Sequence, residues 1–178
     1  MERIENAGGK AGKLYGLGVG PGDPELMTLK AVRLIRESHV IAVPVSGQES
    51  ITALEIAEGA VPEIREKEML QIPMPMTRDK AKLAESHDRA AEAVAGELAK
   101  GKDVAFLTLG DPSIYSTYLY IYERVAALGF ETEIVPGVPS FCAVAARLNE
   151  GLAEASEALH IIPASYDGIE EALALKGT

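Results

Sequence analysis

Short apolar runs alternate with amphipathic stretches along nearly the whole chain, and that alternation leaves few folds open. Lys13–Val19, His39–Val45, Glu66–Ile72, Lys102–Leu109 and Phe130–Val135 read as strands. Between them, helical spacing runs from Asp23 to about Glu37, over Ser50–Glu58, over Asp79–Lys100 and from about Ile114 to Leu128. After the fifth strand come a helix at Ser140–Leu148, a strand at Ala158–Pro163 and a helix at Asp167–Leu175. HVIAVPV and KDVAFLTL are apolar almost throughout, as in strands covered on both faces. The order predicts an α/β fold with a mainly parallel sheet flanked by helices, and the length fits one large domain or one domain plus a fragment of a second. In such sheets ligands sit beyond the carboxyl ends of the strands.

Punctuation supports these boundaries. Asp23-Pro24-Glu25 reads as a helix start, with Asp as cap, Pro at the first position and an acid at the positive end. Leu26, Leu29, Val32 and Ile35 would form its apolar stripe, and Leu83, His87, Ala90, Ala91, Val94 and Leu98 that of the long helix ended by Gly101. Pro73-Met74-Pro75-Met76 cannot continue regular structure, because each Pro lacks an N–H and restricts its predecessor.

Hydrophobic residues make up 47% of the 178, enough for a core, and with 5% aromatics that core must be built from Ala, Val, Leu and Ile. The net charge of −10 argues against nucleic acid as a partner, although a local basic pocket can still hold an anionic ligand. A single cysteine, Cys142, forms no internal disulfide and fits a reducing compartment. It reads as a small buried residue, since no partner is spaced to activate it; His39, His87 and His160 likewise read as structural. No metal-ligand cluster is visible. Residues 1–12 are small and polar and read as a disordered tail, no run approaches the length of a membrane span, and the expected location is cytoplasmic.

Three loops stand out at strand ends. Gly16-Leu17-Gly18-Val19-Gly20-Pro21-Gly22-Asp23-Pro24 lacks the third glycine of a dinucleotide fingerprint and the Gly-Lys-Ser/Thr of a phosphate loop. It is either a tight turn or a close approach of backbone to ligand. In Leu109-Gly110-Asp111-Pro112-Ser113-Ile114-Tyr115, Asp111 reads as a helix cap, while Ser113, Tyr115, Ser116 and Thr117 offer hydroxyls suited to a polar ligand. Val135-Pro136-Gly137-Val138-Pro139-Ser140-Phe141 repeats the theme as a rigid turn.

In this order and wording the three loops resemble the tetrapyrrole methylase family, from about Lys13 onward. Within it, the Lys-Leu-Tyr-Gly lead-in, Val43-Pro44-Val45-Ser46, Val138-Pro139-Ser140-Phe141-Cys142 and Ile161-Ile162-Pro163-Ala164-Ser165-Tyr166 are most similar to the enzymes that methylate C20 of precorrin-2 or cobalt-factor II in cobalamin biosynthesis. The resemblance implies S-adenosylmethionine as methyl donor, lined by Pro21, Leu109, Gly110, Asp111, Ile114, Pro139 and Ser140, many of them through main-chain groups. It also implies a tetrapyrrole substrate and a homodimer. It implies too a second domain, of which 136–178 would be an incomplete beginning after a first domain at 13–135. Methylation of another tetrapyrrole position or of a protein residue, and an inactive nucleoside-binding fragment, remain as alternatives.

Methyl transfer from a sulfonium needs alignment more than reactive side chains, and no catalytic residue or base is assigned. The polycarboxylate substrate does require local positive charge in an acidic chain. Arg78, with Lys80 and Lys82, is the basic candidate, against the reading of a solvated helix start, and Tyr115 is the second substrate-facing candidate.

Overall fold

The structure, a computed structural model, describes residues 10–45, 48–163 and 169–175. The chain divides into two compact units, Met1–Pro139 and Ser140–Thr178. The first holds strands β1 (Lys13–Gly18), β2 (Val40–Val45), β3 (Glu68–Pro73), β4 (Val104–Thr108) and β5 (Glu131–Val135), and helices α1 (Leu29–Glu37), α2 (Gln48–Ala60), α3 (Lys80–Ala99) and α4 (Tyr118–Ala127). The strands form one sheet in the order β3-β2-β4-β1-β5, every pair parallel, as the alternation predicts.

Two cores lie on the two faces, and strict alternation along the strands feeds both. Leu14, Val40, Ala42, Val104 and Phe106 point to α3 and α4; Leu17, Ile41, Val43, Ala105 and Leu107 point to α1 and α2. The amino ends are pinned by polar contacts. His39 Nδ1 accepts from the Asp103 N–H at 3.1 Å, and Asp103 Oδ1 accepts from the Lys13 N–H at 2.7 Å. His39 is thus structural, as the sequence suggests.

The first helix departs from its expected course. Asp23 caps only a 3-10 turn, Pro24–Leu26, and the chain is extended at Met27 and Thr28 before Thr28 caps α1 through its hydroxyl, 3.1 Å from the Ala31 N–H. The break rotates the stripe: Ala31, Leu34 and Ile35 are buried, while Leu29 is 88% exposed. Thr28 two residues beyond the turn is an equally good cap, and burial decides between the two starts. Residues 1–9 of the expected tail lie outside the described residues. Gly12 is not tail: its N–H donates to the Leu98 carbonyl at 2.9 Å, at the end of α3. Pro73 closes β3 as its last residue, paired with Val45, where a strand edge tolerates a missing N–H.

The long helix fits its expectation, with Asp79 accepting from the Ala81 and Lys82 N–H groups and Ala90, Ala91, Val94 and Leu98 buried. Half-buried His87 stacks on Tyr120, ring centroids 4.8 Å apart. Gly96 sits in the last turn of α3 with nothing within 4 Å of an added Cβ. Gly96→Ala should therefore raise stability by about 0.5–1 kcal/mol, measured by denaturant unfolding, since alanine loses less backbone freedom there. A drop in the midpoint would contradict that placement.

The second unit contains α5 (Ser140–Leu148), as expected, and α6 (Ile169–Leu173). Ala158–Pro163 does not form the expected strand; among the described residues of this unit no other strand lies beside it to take its backbone hydrogen bonds. Asp167 and Gly168, the first residues of the helix expected over Asp167–Leu175, lie outside the described residues, and α6 occupies its course from Ile169 to Leu173. Cys142 is exposed and not buried, because α5 buries only Ala145. Among the described residues no helix is long and apolar enough to cross a membrane.

Candidate active site

The three loops leave β1, β4 and β5, which are neighbours in the sheet, so parallel pairing alone delivers them to one place. They meet backbone to backbone. A Cβ on Gly18 would lie 2.6 Å from the Gly110 carbonyl oxygen and 2.6 Å from Gly137 Cα. Gly20 and Gly110 form an isolated antiparallel bridge, with N–H···O distances of 3.3 and 2.8 Å, which both reach by taking left-handed φ values of 78° and 69°. Two residues before Gly18 in β1, a Cβ on Gly16 would strike the buried Tyr118 ring, whose hydroxyl donates to the Glu133 carbonyl at 2.9 Å. Gly16, Gly18 and Gly137 are therefore required by chain-on-chain packing. The close approach that the sequence suggests is real, but at these positions the approaching partner is protein.

Asp111 locks the junction. Its Oδ1 accepts from the Ser113 N–H at 2.7 Å and the Ser113 hydroxyl at 2.5 Å, and its Oδ2 accepts from the Gly137 N–H at 2.9 Å. Burial disfavours the charged form, but the hydrogen bonds from Ser113 and Gly137 outweigh it and hold the carboxyl below the ordinary range. Asp111 is not the helix cap the sequence suggests. Its side chain is taken up by an Asx turn and the third loop, and α4 begins only at Tyr118, whose N–H donates to Ser116 Oγ at 3.1 Å. Ile114–Thr117, expected as helix, is a turn in which Tyr115 takes a left-handed φ of 48°. Strain of this kind concentrates at functional sites.

Pro21, Leu109, Gly110, Asp111, Ile114 and Pro139 are thus all carried by the joined loops of the first unit, while Ser140 opens α5 in the second. Leu109 and Tyr115 are exposed at the rim. Arg78 is exposed in the segment after β3, which leaves the same carboxyl-end rim of the sheet. Lys80 begins α3, and Lys82 lies 3.9 Å from Asp79.

A cavity of about 150 Å³ opens where β2 and β4 part. Their pairing ends at Ala42 and Phe106, and Pro44, with no N–H to offer, faces the gap toward Thr108. Leu109, Ile114, Tyr115, Ser116 and Thr117 complete its wall. Sequence reasoning missed Thr108, although a hydroxyl ending the run VAFLT was a readable signal. It also missed Tyr118 as the reason for Gly16.

Among the described residues Asp111 is the only charged side chain in the buried set, and no group of three or more His, Cys, Asp or Glu could hold a metal ion. The junction therefore offers main-chain groups, small apolar walls and one fixed negative charge. That set suits a sulfonium-bearing ligand held mostly through its neutral parts.

The model of the Tetrapyrrole (Corrin/Porphyrin) Methylases matches residues 13–178. The probable cobalt-precorrin-2 C(20)-methyltransferase of Methanocaldococcus jannaschii is 41% identical over 157 residues, covering 87% of this chain and 65% of that protein. The cobalt-precorrin-2 C(20)-methyltransferase of Salmonella typhimurium is 35% identical over 167 residues, 93% of this chain and 69% of that one. Among solved structures, the uroporphyrin-III C-methyltransferase of Thermus thermophilus complexed with S-adenosylhomocysteine is similar at a TM-score of 0.54 and 26% identity, over 83% of this chain and 56% of that one. The chain thus spans about two thirds of the length of the sequence relatives it matches. The resemblance read from the three loops is borne out: the chain belongs to the tetrapyrrole (corrin/porphyrin) methylase family.

Proposed function

We propose that the protein acts as an S-adenosylmethionine-dependent methyltransferase on C20 of a precorrin-2-type tetrapyrrole in cobalamin biosynthesis. The observation that carries this reading is the convergence of the three family motifs on one junction, sealed by Gly18, Gly110 and Gly137. Both sequence relatives above carry cobalt-precorrin-2 in their names, which supports a cobalt-bearing substrate over metal-free precorrin-2.

In this reading the main-chain groups of Pro21, Leu109, Gly110, Asp111 and Ile114, together with Pro139 and Ser140, hold S-adenosylmethionine, which when bound supplies an activated methyl group. The work of the chain is positional. The joined loops fix the donor site as one rigid unit, so that alignment is not re-established at each turnover. Asp111, ionised and buried, contributes a standing negative potential that favours binding of a positive sulfonium. Arg78 and Tyr115, on the same rim, are the side chains offered to the substrate, and a cytoplasmic homodimer is the expected form.

Calorimetry tests the donor half: S-adenosylhomocysteine should bind with measurable heat. Incubation with cobalt-factor II and S-adenosylmethionine should then give a product carrying one additional methyl at C20. A folded protein that gives no heat with S-adenosylhomocysteine would refute the reading, and a methyl placed at another carbon would move it elsewhere in the family.

A further inference from the structure

The cavity between β2 and β4 has a feature that the three loops do not explain. Thr108 is 9% exposed, and its Oγ1 is buried with no hydrogen-bond partner. A buried hydroxyl left unpaired costs on the order of 1–3 kcal/mol, so a ligand group is its natural complement. Beside it Ser116 Oγ accepts from the Tyr118 N–H, leaving the hydroxyl hydrogen of Ser116 to donate. Ser116, Thr117 and Tyr118 form the amino end of α4, ten residues long, whose dipole favours negative charge there. Among the described residues no acidic side chain lines the cavity. Its place in the sheet matters too. The cavity lies on the β2 side of β4, away from β1 and β5 and toward the segment that carries Arg78, and it shares Leu109 and Ile114 of the second motif loop with the donor site.

We propose that this cavity is a carboxylate subsite that takes one acid side chain of the tetrapyrrole, held by Thr108 Oγ1 and Ser116 Oγ at the amino end of α4. A volume of about 150 Å³ admits one benzene-sized group and excludes a macrocycle. The subsite shows how a chain of net charge −10 receives a polyanion: uncharged donors and a helix end accept one carboxylate without a buried cation. This inference rests on the tetrapyrrole reading above.

Thr108→Val removes the hydroxyl and keeps the shape. The variant should raise the KM for cobalt-factor II roughly tenfold, the loss of one charge-assisted hydrogen bond. The KM for S-adenosylmethionine and the affinity for S-adenosylhomocysteine should stay within about twofold. Thr108→Ser should restore the tetrapyrrole KM, and the thermal midpoint of Thr108→Val should equal or exceed that of the wild type, because the hydroxyl has no partner in the protein. Binding of a tetrapyrrole with esterified carboxylates should not change between the wild type and Thr108→Val. An unchanged KM for cobalt-factor II, an equal loss for both substrates, or a penalty that persists with the ester would overturn the subsite while leaving the methyltransferase reading in place. A wild-type protein that binds S-adenosylhomocysteine but no tetrapyrrole would overturn both.

Discussion

Gly137→Ala should be the most damaging single-methyl change at the junction of the three loops. An added Cβ would overlap the Gly110 carbonyl oxygen and lie 2.8 Å from Gly18 Cα and 3.0 Å from the Gly18 carbonyl carbon. Each of these is a backbone atom, so no side-chain rotation relieves the contact. The Gly110 carbonyl already accepts from the Gly20 N–H, and the Gly137 N–H already donates to Asp111, so moving either loop breaks a second interaction. Overpacking costs about 1–3 kcal/mol where side chains can adjust. With backbone on all sides we expect about 3 kcal/mol, and a thermal midpoint lower by roughly 6–12 °C for a chain of this size. Binding of S-adenosylhomocysteine should fall with it, because all three loops must separate to admit the methyl. Gly151→Ala, where nothing stands within 4 Å, is the control and should shift the midpoint by no more than a degree or two. A Gly137→Ala protein that melts and binds like the wild type would show that the loops are not in contact as described.

The sheet was legible in the sequence because its signal is local: apolar runs of strand length separated by helical periodicity, with all five strands of the first unit found within a few residues of their ends. Where local signals compete, burial decides. Asp23-Pro24 and Thr28 both announce a helix, and only the packing of Ala31, Leu34 and Ile35 on the sheet selects the second. Asp111-Pro112 reads as a helix start for the same local reason. Its carboxylate is drawn instead to the Gly137 N–H, twenty-six residues away in sequence, and no spacing rule reaches that far. The loops were recognisable by their wording, but the task of each glycine was not. Gly16 answers to Tyr118 and Gly18 to Gly137, both of which become neighbours only once β1, β4 and β5 lie side by side. Thr108 was readable as a hydroxyl ending the run VAFLT, but that it is left unpaired is a property of its surroundings that sequence does not list.

Asp111→Asn tests the same junction from its polar side. The wild-type carboxylate presents acceptors in both directions, to Ser113 through Oδ1 and to Gly137 through Oδ2. An asparagine has one oxygen. Whichever way its amide turns, the NH2 group faces a backbone N–H, and one buried donor loses its partner. Hydrogen bonds to charged groups contribute about 1.5–3 kcal/mol, so the substitution should cost roughly 2–3 kcal/mol at neutral pH, read by denaturant unfolding. The pH dependence separates lost charge from a general packing defect. The folded-state pKa of Asp111 is lowered, so its contribution is complete above the unfolded value of about 3.9 and is lost as pH falls through the lower folded value. The stability gap between wild type and Asp111→Asn should therefore be constant from pH 7 to pH 5 and narrow only below about pH 4. A gap that is already closing between pH 7 and pH 5 would mean that the carboxyl is not held ionised by Ser113 and Gly137. Asp111→Ala, which removes both acceptors, should cost more than Asp111→Asn, and equal costs would show that only one of the two sides of the clamp stabilises the fold.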